Sequence, residues 1–165
     1  MLQRTFDRLI SSQAPAATLL IRFMVGGVFV SEGVQKFLDP VARGAGRFER
    51  IGLPAAELLG PLVATTELLF GLLLLLGLLT RLAALPLIAT MLVALFTTKL
   101  PILLGTGFWG LHLRSLSSYG FWSMAHESRT DFSMLLGSIF LLLVGSGPFA
   151  VDALLRRRRQ RSRSG

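Results

Sequence analysis

Three charged side chains interrupt an oily stretch near the start of the chain: Arg22, Glu32 and Lys36 in "IRFMVGGVFVSEGVQKFLDP", residues 21–40. A fourth, Glu67, stands in the middle of "LLGPLVATTELLFGLLLLLGLL". A charge at the centre of a bilayer costs about 2.5–3.5 kcal/mol on insertion scales, so such groups pair with one another or mark an ion, proton or ligand path. On a helix, Arg22, Gly26, Phe29, Gly33 and Lys36 share one stripe, and the two glycines let a second helix approach it closely. Glu32 precedes Lys36 by one turn, a favourable order for an ion pair. Glu67, one turn before Gly71, supplies a partner from the second stretch. Arg22 lies about 6 Å to the inner side of its own midpoint, an offset that a long arginine can cover. The expected buried polar pair is therefore Arg22–Glu67.

More polar residues gather near the other end of these stretches. Glu32 and Lys36 close the first, Thr97, Thr98 and Lys99 close a third, and His126, Glu127, Arg129 and Asp131 precede a fourth. Brought to similar depth, Glu32, Lys36, Lys99, His126, Glu127, Arg129 and Asp131 would form an outer-leaflet pocket. For Asp131 the favoured alternative is a helix N-terminal position, where the helix dipole stabilises a carboxylate.

Other chemistries are excluded or unsupported. With no cysteine, the chain carries no disulfide, thiolate metal site or dithiol redox centre. His112 and His126 fall in one connecting segment rather than on facing spans, a poor arrangement for bis-histidine haem. No HExxH, P-loop, dinucleotide glycine fingerprint or nucleophile elbow is present. No metal site is expected, and no catalytic residue is assigned. A redox role would lean on a bound cofactor, a quinone from the lipid, or partner subunits.

The elements that must position these residues are membrane spans. The chain has 165 residues, of which 52% are hydrophobic and 16% charged, too oily for an ordinary soluble domain. Four stretches reach the length of about 20 apolar residues that a crossing needs: about 16–37, 58–79, 82–100 and 132–151. The first is not read as a cleaved signal, because Arg22 breaks its apolar run and no small-residue cleavage site follows. Thr80 and Arg81 leave room only for a tight hairpin between the second and third spans. Pro61 and Pro86 are expected in the opening turns of their helices, and Pro101 is expected to stop the third.

The fold expected is all-α: one integral membrane four-helix bundle over residues 1–155, then a basic cytoplasmic tail over 156–165. Net charge is +8, and the tail "RRRRQRSRSG" holds six of the arginines. Arg4, Arg8, Arg81 and this tail lie on one side of a four-span chain and place both termini in the cytoplasm. The tail is read as a membrane-surface anchor, not as a nucleic-acid arm. The two long outer loops, 38–57 and 101–131, carry Trp109, Tyr119 and Trp122 and should form short interfacial helices capping the bundle.

Three blocks resemble the DoxX family of small bacterial inner-membrane proteins: "RFMVGGVFVSEGVQKFLDP", "FERIGLPAAELLGPLVATTELLFGLLLLLGLLTRLAAL" and "GFWSMAHESRTDFSMLLGSIFLLLVGSGPFAVD". The first is similar to the family's Arg, spaced Gly, Lys and Asp-Pro pattern through Arg22, Gly26, Gly33, Lys36, Asp39 and Pro40. The second matches its mid-helix Glu and Gly in Glu67 and Gly71, and the third its His-Glu and Arg-Thr-Asp-Phe segment from His126 to Phe132. One departure is Phe149 and Ala150, where the family pattern has Trp-Ser. The resemblance implies a four-helix membrane bundle associated with oxidoreductases, sulfur or thiol metabolism and oxidative-stress defence.

The leading functional reading is a redox-associated subunit or accessory that binds a quinone-like molecule, with Glu67, Glu32 and Lys36 in charge or proton roles. The alternatives are a non-catalytic scaffold anchoring soluble redox enzymes, and a small-molecule or ion transporter whose pathway dimerisation would enlarge. Expected partners are the lipid bilayer, soluble redox enzymes and further copies of the chain, with no nucleic acid.

Overall fold

The computed structural model describes residues 14–164 and is helical, with no strand among those residues. Helix α1 is Thr18–Leu38, α2 Ala45–Arg50 and α3 Ala56–Leu76. Helix α4, Thr80–Ala94, runs through a widened π turn, Leu95–Lys99, into α5, Leu100–Leu104. Helix α6 is Phe121–Val144 and α7 is Val151–Ser164. α1 packs on α3, α3 on α4, α4 on α6 and α6 back on α1, which closes a four-helix bundle. Its core is built on Val25, Phe29, Leu74, Leu87, Met134 and Leu141.

The outside is as apolar as the inside. On α3, Leu58, Leu62, Leu69, Leu72 and Leu76 are exposed, and α4 and α6 expose Leu85, Leu92, Leu136 and Leu143. A soluble monomer rarely carries so wide an apolar surface, whereas lipid tails solvate it without cost. Among the described residues, three helices are long and apolar enough to cross a membrane: Thr18–Leu38, Ala56–Leu76 and Thr80–Leu104.

α6 differs from the fourth span expected at 132–151. It begins at Phe121, because nothing in "FWSMAHESRTD" breaks a helix, and it ends at Val144, where Gly145 and Gly147 take positive φ ahead of Pro148. Its uncharged part, residues 132–144, is only about 20 Å long, so its charged first half must sit beside α4 in the outer part of the bundle.

The prolines also depart from expectation. Pro61 and Pro86 lie inside α3 and α4 because both helices start about two residues earlier than their apolar runs. Pro101 does not end the third span. The π turn before it displaces the carbonyl that its ring would strike, and the helix continues to Leu104. The expected boundary between domain and tail at 155/156 falls inside α7.

The loops form a cap, though not as two helical segments. α2 occupies the first, while residues 105–120 of the second are irregular apart from a bridge between Phe108 and Leu111. The loops are joined by the His112 amide donating to Ile51 O at 2.9 Å. Gly52 and Gly110 touch backbone to backbone, where any Cβ on Gly52 would collide with the Gly110 carbonyl. Trp109 and Trp122 stand 89% and 82% exposed, as expected of rings at a membrane interface.

The start of α1, the α3–α4 hairpin and the start of α7 meet at the opposite end of the bundle, with Arg81 and Arg156 to Arg158. Arg4 and Arg8, used above to argue orientation, lie outside the described residues.

Candidate functional site

α1 and α3 are antiparallel and nearly in backbone contact. A Cβ on Gly33 would lie 2.7 Å from Leu68 N and 2.8 Å from Ala64 O, and one on Gly26 would lie 2.9 Å from Gly71 O. This contact sets the register and brings Glu67 about level with Glu32. Arg22 is then about 15 Å further in and Lys36 about 6 Å further out. Helical side chains lean toward their own N-terminus. On antiparallel helices, Glu67 therefore leans outward and Lys36 leans inward to meet it, while Arg22 leans away.

The expected Arg22–Glu67 pair is accordingly not formed. Lys36 Nζ lies 2.6 Å from Glu67 Oε2 and 3.1 Å from Glu32 Oε2. Lys36 and Glu67 are 6% and 4% exposed, and Glu32 is 41% exposed. The result is a carboxylate–ammonium–carboxylate triad with two members buried and one reaching outward. An ammonium has three protons. Two go to the glutamates, and one is left.

The triad lines a cavity of about 600 Å³, a volume typical of small-molecule sites. Its walls are largely apolar, from Val28 and Phe29 on α1, Phe48 on α2, Leu59 and Val63 on α3, and Met134 on α6. Its polar groups include the triad, Arg47, Thr97, Thr98, Lys99 and Asp131, with the hydroxyls of Thr66, Thr90 and Thr130 also in the lining. Lys99 pairs with Asp131 at 3.0 Å. Asp131 thus sits within α6 facing α4, not at a helix N-terminus. The π turn presents Lys99: widening the coil by one residue brings Thr97, Thr98 and Lys99 together on the cavity side. The Thr97 and Thr98 hydroxyls donate to Val93 O and Ala94 O one turn back.

Of the residues expected in this pocket, Glu32, Lys36, Lys99 and Asp131 line it, joined by Glu67. His126, Glu127 and Arg129 do not. The inward stripe of α6 runs through Ser128, Met134, Leu135, Ser138 and Leu141, and His126 and Arg129 fall on its exposed side. Arg129 donates to His126 O at 2.7 Å, and Glu127 accepts from Arg114 at 3.2 Å. Sequence reasoning missed Arg47. Its only signal was a position on a short loop helix, one turn from Arg50.

Arg22 does different work at the inner end. Its guanidinium donates to Leu74 O at 2.9 Å, Leu75 O at 2.5 Å, Ser146 O at 3.2 Å and Phe149 O at 2.6 Å. The first two are terminal carbonyls of α3, where a cation is favoured, and the others tie in the α6–α7 turn. Asp152, unnoticed in the sequence, complements it. Its carboxylate accepts from Leu79 N at 2.9 Å and Thr80 N at 3.2 Å, capping α4 from α7. Burial raises the Asp152 pKa, and the two amides and Arg22 oppose that rise in part. Both residues close the inner end and lie away from the cavity.

Comparison with known proteins bears on this geometry. The DoxX family model matches residues 17–100, which include Arg22, Glu32, Lys36, Glu67 and Lys99. The chain belongs to the DoxX family. It is also 48% identical over 154 residues to a Mycobacterium tuberculosis protein named "Uncharacterized membrane protein Rv3486", covering 93% of this chain and 90% of that one. No solved structure matches. This DoxX-family chain is therefore a membrane protein, and the part of its cavity contributed by α1, α3 and α4 lies within the family's matched region, with Asp131 of α6 beyond it.

Proposed function

We propose that this DoxX-family membrane protein binds a quinone-like molecule in the cavity and acts as a subunit or accessory of a membrane oxidoreductase in oxidative-stress defence. The observation that carries the reading is the Glu67–Lys36–Glu32 triad on the wall of an otherwise apolar cavity. A quinone ring suits apolar walls, and the remaining Lys36 proton suits a carbonyl oxygen. Half-exposed Glu32 offers a proton route between the buried pair and the outer surface. The chain has no thiol, so electrons would come from a partner. Basic residues at the inner end support a cytoplasmic placement of both termini, in a bacterial inner membrane.

The test is titration of the purified protein, in neutral detergent, with a short-chain benzoquinone. Saturable binding by wild type that weakens in Glu67→Gln and Lys36→Met supports the reading. No binding by wild type, with the variants affecting only stability, contradicts it and favours a scaffold.

A further inference from the structure

We infer that the cavity's outer mouth is a head-group site for an anionic amphiphile, a long-chain phosphate or carboxylate whose alkyl chain lies in the cavity. This rests on the ligand-chamber part of the reading above and not on its redox part.

A second space of about 500 Å³ opens beneath the cap. It adjoins the apolar cavity, with Arg47, Ile51, Thr98 and Lys99 lining both, so a head group in one space has its alkyl chain directed at the other. Its lining includes the cations Arg47, Arg50, Lys99 and Arg114 and no carboxylate. Two of these cations are already neutralised: Lys99 by Asp131 at 3.0 Å and Arg114 by Glu127 at 3.2 Å. Among the described residues, the Arg50 guanidinium donates only to the neutral carbonyls of Val41 and Ala42, at 2.9 Å each. The Arg47 guanidinium has no hydrogen-bond or ion-pair partner among the described residues. Arg47 feels the Glu67 carboxylate across the cavity wall, whereas Arg50, one turn on along α2, has no carboxylate partner among the described residues, so the outer space is lined by more positive than negative charge.

A guanidinium fork that is not held by a carboxylate hydrogen bond matches the paired oxygens of a phosphate or carboxylate, and the apolar walls beyond it match a hydrocarbon chain. A neutral ring does not need the cations of the outer space. The mouth is also preformed. His112 Nδ1 lies 3.1 Å from Arg50 O, and the Gly52–Gly110 contact fixes the second loop against the first. Such preorganisation reduces the ordering cost of binding.

The experiment uses the full chain in neutral, non-ionic detergent with three probes: dodecyl phosphate, uncharged dodecanol and inorganic phosphate. Arg47→Gln is the informative variant, because Arg47 makes no side-chain hydrogen bond among the described residues. Expected are saturable dodecyl phosphate binding weakened about tenfold by Arg47→Gln, much weaker dodecanol binding that ignores the substitution, and no competition by inorganic phosphate. Binding within twofold of wild type in Arg47→Gln overturns the proposal, and so does dodecanol binding as tightly as dodecyl phosphate. Competition by inorganic phosphate at equal concentration overturns it in favour of a free-anion site. An uncharged benzoquinone run in parallel should respond to Glu67→Gln and not to Arg50→Gln, because Arg50 lines the outer space and not the quinone cavity. Failure of the quinone arm alone removes the redox reading, and failure of the dodecyl phosphate arm alone removes this one.

Discussion

Replacing Lys36 by methionine is the most revealing perturbation of the bundle, because the lysine stands between two carboxylates. Its Nζ is 2.6 Å from Glu67 and 3.1 Å from Glu32. Glu67 is 4% exposed, so removing Lys36 leaves a buried carboxylate without its counter-charge. Breaking a buried pair in this way costs about 3–5 kcal/mol, and protonation of Glu67 can recover part of that. Glu67→Gln is milder, because Lys36 keeps Glu32 and no unpaired charge is stranded. About 1–2 kcal/mol is expected for the lost charged hydrogen bond. In the double variant Lys36→Met/Glu67→Leu, the buried charge is replaced by apolar volume, and stability should return to within about 1 kcal/mol of wild type. Denaturant titration in micelles, followed by far-ultraviolet circular dichroism, measures all three. The reasoning fails if Glu67→Gln costs as much as Lys36→Met, or if the double variant is as unstable as the sum of its parts.

Gly33→Ala should destabilise by about 1–3 kcal/mol, because its Cβ would lie 2.7 Å from Leu68 N; Gly27→Ala, with nothing within 4 Å, should be neutral or slightly stabilising in the same unfolding assay. Arg22→Gln should cost about 3 kcal/mol or more by stranding carbonyls of the α3 end and the α6–α7 turn, and Arg22→Lys should not rescue it, since one ammonium cannot span four oxygens; thermal melting in detergent checks both. Asp152→Ala should lose about 1 kcal/mol as a lost helix cap. Asp152 has a raised pKa when folded, so folding takes up a proton between about 3.9 and that raised value. Stability should therefore fall as pH rises through that window, and Asp152→Asn should flatten the slope measured by pH-dependent unfolding.

Much of the bundle is written locally. The apolar runs announce α1, α3 and α4, and Gly26 and Gly33 announce the face on which α1 meets α3. The partner of Glu67 is less legible. Stripe geometry places Arg22 and Lys36 on the same face equally well, and only the antiparallel register and the lean of side chains decide between them. Asp131 and its neighbours show the same limit. Their spacing to the last apolar run suggests a cap before a helix, yet the helix starts ten residues earlier, and its phase turns Asp131 inward and His126 and Arg129 outward. Asp152 and Arg47 act across long sequence separations, where no local pattern marks them.

In the proposed function, the apolar cavity holds its ligand against the buried triad. The most direct measurement is photocross-linking of a photoreactive short-chain benzoquinone to the wild-type protein in micelles, with adducts mapped by peptide mass spectrometry. Adducts on cavity residues such as Phe48, Thr90 and Thr97, suppressed by excess unlabelled quinone, are predicted. Adducts confined to lipid-facing Leu20, Leu72 and Leu143, or indifferent to competitor, would contradict it.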